Sequence, residues 1–140
     1  MVVNRIEITV HWGDCDPAEI VFYSNFFRWF DCGTTELFAS VGLDLSTLFR
    51  EHDVLGIPIL DAGARFKRPA RFRDRLGLET RIAEWGRSSF RVEHRVTKDD
   101  EETATGHEVR AWVARDPHRP DGLRALPVPE TVRRRFETEG

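Results

Sequence analysis

Ser24-Asn25-Phe26-Phe27-Arg28-Trp29-Phe30-Asp31-Cys32-Gly33-Thr34-Thr35-Glu36-Leu37-Phe38-Ala39-Ser40-Val41-Gly42 is the stretch whose reading decides the fold. Phe26, Phe27, Phe30, Leu37, Phe38 and Val41 recur at three- and four-residue steps, which predicts an amphipathic helix with a wide apolar stripe. Ser24 is the expected N-cap, and Gly42 stands where a C-terminal cap belongs. About 18 residues at 1.5 Å each span roughly 27 Å, enough to cross a small sheet. Gly33 weakens a helix, so it is expected to mark a close approach by another backbone.

Outward from the helix the pattern changes to strands. Upstream, residues 3–12 alternate, with Ile6, Ile8, Val10 and Trp12 on one face and Glu7, Thr9 and His11 on the other. Downstream, Asp44 to His52 reads as a short second helix, and Val54 to Phe66 as a strand that Pro58 interrupts. Leu76 to Trp85, Phe90 to Val96 and Thr103 to Arg115 read as three further strands, the last with Val109, Ala111 and Val113 on one side. A short helix from Glu130 ends the chain. Strands joined by short turns imply antiparallel pairing, so the expected class is α+β: a five-stranded antiparallel sheet burying one long central helix, in a single domain over residues 1–140.

The composition narrows the function classes. With 140 residues, 40% hydrophobic and 32% charged, the chain is long enough for a core and is not a disordered sequence. A net charge of −3 argues against general nucleic-acid binding. Two cysteines, Cys15 and Cys32, are too few for a disulfide framework and point to a reducing, cytoplasmic setting. No apolar run approaches a membrane span, and residues 1–5 lack a signal-peptide layout. The five histidines are scattered and fit no metal-ligand spacing, so neither metal nor cofactor is expected.

The segment between first strand and long helix carries the chemistry: His11-Trp12-Gly13-Asp14-Cys15-Asp16-Pro17-Ala18-Glu19-Ile20-Val21-Phe22-Tyr23. Loops of this kind present reactive groups on a rigid scaffold. The helix start that follows offers unpaired N–H groups to a developing negative charge. Asp16 is the candidate for attack, and its structural alternative is a turn-forming Asp before Pro. Asp14 is the rival catalytic carboxylate, with bracing of the loop through backbone N–H groups as its expected role. Cys15, flanked by two acids, is expected to be a thiol and a packing residue. His94 falls on the apolar face of its strand and reads as a hydrogen-bonded core histidine. Arg65, Lys67, Arg68, Arg71, Arg73 and Arg75 are either a phosphate-binding cluster or a solvated face. No Gly-x-Ser-x-Gly elbow is present.

Gly13-Asp14-Cys15-Asp16-Pro17-Ala18, Ile20-Val21-Phe22-Tyr23, Asn25 and Phe27-Arg28-Trp29-Phe30-Asp31 closely resemble the 4-hydroxybenzoyl-CoA thioesterase family of hotdog-fold enzymes. The resemblance continues through Gly56-Ile57-Pro58-Ile59, Phe66, Glu84-Trp85, Ser89-Phe90, His94 and Leu123-Arg124-Ala125. It implies a sheet wrapped around the long helix, in homodimers that assemble to homotetramers, with active sites at the dimer interface. It implies an acyl-CoA substrate with an aromatic, hydroxybenzoyl-type acyl group. Asp16 then matches the catalytic carboxylate, as nucleophile or general base. Tyr23 matches the residue whose backbone N–H polarises the thioester carbonyl. Asp31 matches the carboxylate that binds the substrate hydroxyl across the dimer interface. Two positions depart from the family pattern. Glu19 replaces the usual glycine, and Gly86-Arg87-Ser88 keeps only Arg87 of a basic run that binds CoA phosphate. Aliphatic acyl-CoA, an acyl-carrier protein, or acyl-CoA binding without catalysis are the competing readings.

Overall fold

The computed structural model describes residues 1–137. Strand β1 (Val3–Thr9) leads through a 3₁₀ turn (Trp12–Asp14) to the long helix α1 (Ser24–Ser40) and a short helix α2 (Leu45–Glu51). Strands β2 (Ile59–Phe66), β3 (Arg75–Trp85), β4 (Ser89–Lys98) and β5 (Glu101–Ala111) follow. A small ribbon, β6 (Val113–Arg115) with β7 (Leu123–Ala125), and helix α3 (Glu130–Arg134) complete it. The five-stranded sheet has the order β1-β3-β4-β5-β2 with every neighbour antiparallel. This is the expected α+β architecture, with α1 lying across one sheet face. No helix among the described residues is long and apolar enough to cross a membrane.

Helix α1 ends as its sequence predicts. Gly42 takes φ +82, its N–H bonds the Ala39 carbonyl, and the Leu43 N–H bonds the Phe38 carbonyl, a paired cap that only a left-handed residue completes readily. Its start departs from expectation. Tyr23, not Ser24, is the N-cap; it already has helical φ/ψ (−55, −31), so Ser24 lies inside the helix and its hydroxyl does not cap. Gly33 does mark a close approach, but by side chains: a Cβ there would lie 2.6 Å from Thr80 Oγ1 and 2.9 Å from Leu78 Cδ2.

Three further departures have local causes. Trp12 belongs to the 3₁₀ turn, so it leaves the inward face, is 59% exposed, and packs edge-on against Phe72. Pro58 cannot donate to the ladder, so β2 begins only at Ile59, although the Pro58 carbonyl still accepts from the Ala111 N–H. The last expected strand breaks at buried Trp112 into β5 and β6. The side of β5 that faces α1 carries Gly106, Glu108 and Arg110.

The core consequently has two apolar halves. Phe26, Trp29 and Phe30 of α1 pack with Leu76, Leu78 and Val96, whereas Leu37 and Phe38 pack with Ile82, Phe90 and Val92. Between them lies a buried polar layer of Thr34, Thr80, His94, Glu108 and Arg110.

Candidate active site

The loop before α1 is held by Asp14, as its sequence suggests. Asp14 Oδ2 accepts from the His11 N–H at 2.9 Å, and Oδ1 pairs with Arg28 Nη2 at 3.0 Å. The Asp14 carbonyl accepts from the Phe22 N–H at 2.9 Å and from Asn25 Nδ2 at 2.8 Å. One residue thus ties the loop to the first turns of α1.

Beyond it the chain makes a tight hairpin. Cys15 and Val21 form a bridge, the Asp16 N–H donates to the Ile20 carbonyl at 2.9 Å, and the Glu19 N–H donates to the Asp16 carbonyl at 2.9 Å. Asp16 Oδ1 accepts from the Ala18 N–H at 2.8 Å, a turn that Asp before Pro favours. Such three-residue loops end on a left-handed residue, and Glu19 has φ +65. This explains the glycine that the family resemblance places here. Glu19 keeps the bend at a backbone cost of about 1–2 kcal/mol. Asp16 is thus the turn-forming Asp through Oδ1, while Oδ2 has no protein donor among the described residues.

The uncapped start of α1 adjoins this hairpin. The Asn25 and Phe26 N–H groups already reach the Phe22 and Tyr23 carbonyls, whereas those of Tyr23 and Ser24 have no acceptor among the described residues. Open donors at the positive end of a 17-residue helix can stabilise an oxyanion. Cys15 is not the nucleophile of choice: burial raises its thiol pKa, and so do Asp14, Asp16, Glu19 and Asp74.

Asp31 lies eight residues beyond Tyr23, about 12 Å along α1. Its side chain is 63% exposed and pairs through Oδ1 with Arg110 Nη2 at 2.8 Å. Arg110 also bonds Glu108 Oε2 (2.9 Å, from Nη2), Glu108 Oε1 (3.3 Å, from Nε) and the Ile57 carbonyl (3.0 Å, from Nη1). Glu108 Oε1 further receives Thr34 Oγ1 at 2.5 Å and lies 3.2 Å from His94 Nε2. His94 is the expected core histidine, bonded to Thr80 Oγ1 at 2.9 Å and stacked on Phe30. Burial pushes the Glu108 carboxyl up, but the bonds from His94, Arg110 and Thr34 outweigh it and hold the pKa at about 2. Sequence reasoning missed Glu108 and Arg110 because apolar alternation marks only Val109, Ala111 and Val113 in this strand and gives charged residues no place in a core.

Arg87 is exposed in the β3–β4 turn, whose carbonyls at Gly86 and Arg87 accept from Arg133 Nη2. Strand β3 separates that turn from the Asp16 loop: the Val10 N–H bonds the Asp74 carbonyl at one end, and eleven residues at about 3.3 Å each put Arg87 roughly 35 Å away. One chain therefore does not bring Asp16, Asp31 and Arg87 together around one small acyl group. At the Arg87 end a cleft of about 440 Å³ holds Arg115 and Arg124 beside His52 and Asp53. Within the basic run from Arg65 to Arg75, Arg65 lines a cavity of about 550 Å³ on the sheet. Lys67 pairs with Glu102 and Arg68 with Glu101.

Comparison with known proteins fits this geometry. Residues 10–136 match the thioesterase-like superfamily. The chain belongs to that superfamily. It is a thioester hydrolase with the hotdog fold of the 4-hydroxybenzoyl-CoA thioesterases. It is 35% identical to the 4-hydroxybenzoyl-CoA thioesterase of Pseudomonas sp. (strain CBS-3) over 126 residues, covering 86% of this chain and 87% of the relative. It is 26% identical to the 1,4-dihydroxy-2-naphthoyl-CoA hydrolase of Synechococcus elongatus, covering 78% and 80%. A crystal structure of a mutant 4-hydroxybenzoyl CoA thioesterase complexed with 4-hydroxybenzoyl CoA superposes with TM-score 0.88 at 30% identity, covering 96% of this chain and 99% of that one.

Proposed function

We propose that the chain hydrolyses the CoA thioester of a hydroxylated aromatic acid of the benzoyl type. The observations that carry this are the open Oδ2 of Asp16 in the hairpin and the unpaired N–H groups of Tyr23 and Ser24 where the same loop enters α1. Asp16 attacks the thioester carbonyl, or takes the proton of the water that does. The N–H of Tyr23 receives the oxyanion, and the C–S bond breaks to release CoA thiolate, which takes up a proton; where Asp16 itself attacks, water then cleaves the resulting mixed anhydride to the free acid and restores the carboxylate. The names of the relatives support an aromatic acyl group, since both carry ring hydroxyls.

Distances along the chain support a two-chain site. A hydroxybenzoyl group is shorter than the roughly 12 Å between Tyr23 and Asp31, so Asp31 of the partner reads the hydroxyl. Strand β2 offers the pairing edge: it is the last strand of the sheet, with Ile59 48% and Leu60 64% exposed. By the same reasoning Arg87 serves CoA phosphate at a site other than that of its own Asp16. The assembly is then a homodimer, pairing further into a homotetramer.

The test is thiol release from 4-hydroxybenzoyl-, benzoyl-, phenylacetyl- and medium-chain aliphatic CoA esters by wild type and Asp16→Asn. The expected result is preference for the hydroxylated aromatic ester and a loss of about 10³-fold or more in kcat for the variant. Near-native turnover by Asp16→Asn refutes the catalytic assignment. Preference for aliphatic esters refutes the acyl group.

A further inference from the structure

The polar layer contains five buried groups and ends on one exposed group. Thr34, Thr80, His94, Glu108 and Arg110 are each at most 6% exposed, whereas the Asp31 side chain is 63% exposed. A buried ion pair is weak evidence for stability, because well-packed apolar residues of similar volume often serve a core as well or better. The pair therefore calls for another account. Arg110 is fixed at three points, by both Glu108 oxygens and by the Ile57 carbonyl. Its planar guanidinium leaves little freedom to the group it then contacts. That group is Asp31 Oδ1, at 2.8 Å. Without it, an exposed carboxylate on a helix would exchange between rotamers.

We propose that Arg110 is a positioning residue for acyl recognition: anchored by Glu108 and the Ile57 carbonyl, it holds Asp31 Oδ1 and leaves Oδ2 as the one open acceptor for a ring hydroxyl. This rests on Asp31 reading that hydroxyl, as proposed for the function. Arg110 touches no reacting atom and acts through Asp31 alone. Glu108 is in turn the anchor of Arg110.

The experiment compares kcat/KM for 4-hydroxybenzoyl-CoA and benzoyl-CoA in wild type, Arg110→Lys, Asp31→Asn and the double variant. Lysine keeps a positive charge beside Glu108 but cannot span Glu108, the Ile57 carbonyl and Asp31 at once. The expected result is a fall of about tenfold or more in the ratio of the two esters for Arg110→Lys. Asp31→Asn should show a fall at least as large, and the double variant no further fall beyond Asp31→Asn. An unchanged ratio in Arg110→Lys, with the ratio lost in Asp31→Asn, overturns the positioning role and leaves the Asp31 assignment standing. An unchanged ratio in Asp31→Asn overturns both. If Arg110→Lys does not fold, Glu108→Gln replaces it, since it keeps Arg110 and weakens its anchor. A lowered ratio then supports the role, and an unchanged one overturns it.

Discussion

Glu108→Gln tests whether the carboxylate of the polar layer is charged and stabilising in the folded protein. At neutral pH the substitution leaves Arg110, 6% exposed, with only half-solvated Asp31 as its anionic partner, a change that costs about 3–5 kcal/mol. The pH dependence gives a second magnitude. Glu108 has a pKa of about 2 in the fold against an ordinary 4.5, a gap worth about 3 kcal/mol. As pH falls, the unfolded chain takes up this proton first. The stabilisation is therefore whole above about 4.5, shrinks below it, and is gone once the folded carboxyl also protonates near 2. Glutamine has no such proton. The assay is urea unfolding of wild type and variant from pH 7 to pH 2, at one ionic strength and one protomer concentration, because assembly shifts apparent stability. The difference between the two proteins should be widest above pH 5 and narrow by about 3 kcal/mol toward pH 2. Parallel curves across that window refute a charged, hydrogen-bonded Glu108.

Glu19→Gly relieves a side-chain residue at φ +65 and is expected to stabilise the protein by about 0.5–1 kcal/mol after the greater unfolded-state freedom of glycine, read as a rise in the denaturation midpoint. Gly33→Ala forces a Cβ to within 2.6 Å of Thr80 Oγ1 and should cost about 1–3 kcal/mol in the same assay. Cys15, whose thiol pKa is raised by burial and then by its acidic neighbours, should alkylate with iodoacetamide more slowly at pH 7 than exposed Cys32, as peptide mapping reports.

Periodicity made the sheet and the long helix legible, because each has one face that must be apolar over many residues. It failed on β5 for the same reason. The helix-facing positions there are Gly106, Glu108 and Arg110, and a search for apolar alternation selects Val109 and Ala111 instead. The partners that make Glu108 acceptable inside, Thr34, His94 and Arg110, come from three elements, and no local pattern announces their meeting. The hairpin at Asp16 was readable as a turn from Asp-Pro. Its left-handed Glu19 was not, because nothing in a glutamate signals positive φ; the only hint was the glycine usual at that place in the family. Ser24 misled because capping needs an extended backbone at the cap, and Tyr23 had already entered the helix.

The polar layer also divides the core into compartments. Leu37, Phe38, Phe90 and Val92 share no cluster with Phe26, Phe30, Leu78 and Val96, because charged and hydroxyl groups separate them. Volume changes should then compensate within one compartment and not across the layer. A cavity made at Phe90 should add to one made at Leu78, whereas two substitutions within one half should couple through their shared neighbours. Each half is thus free to change its packing separately, and sequence drift in the half nearest the start of α1 need not be answered in the half nearest its end.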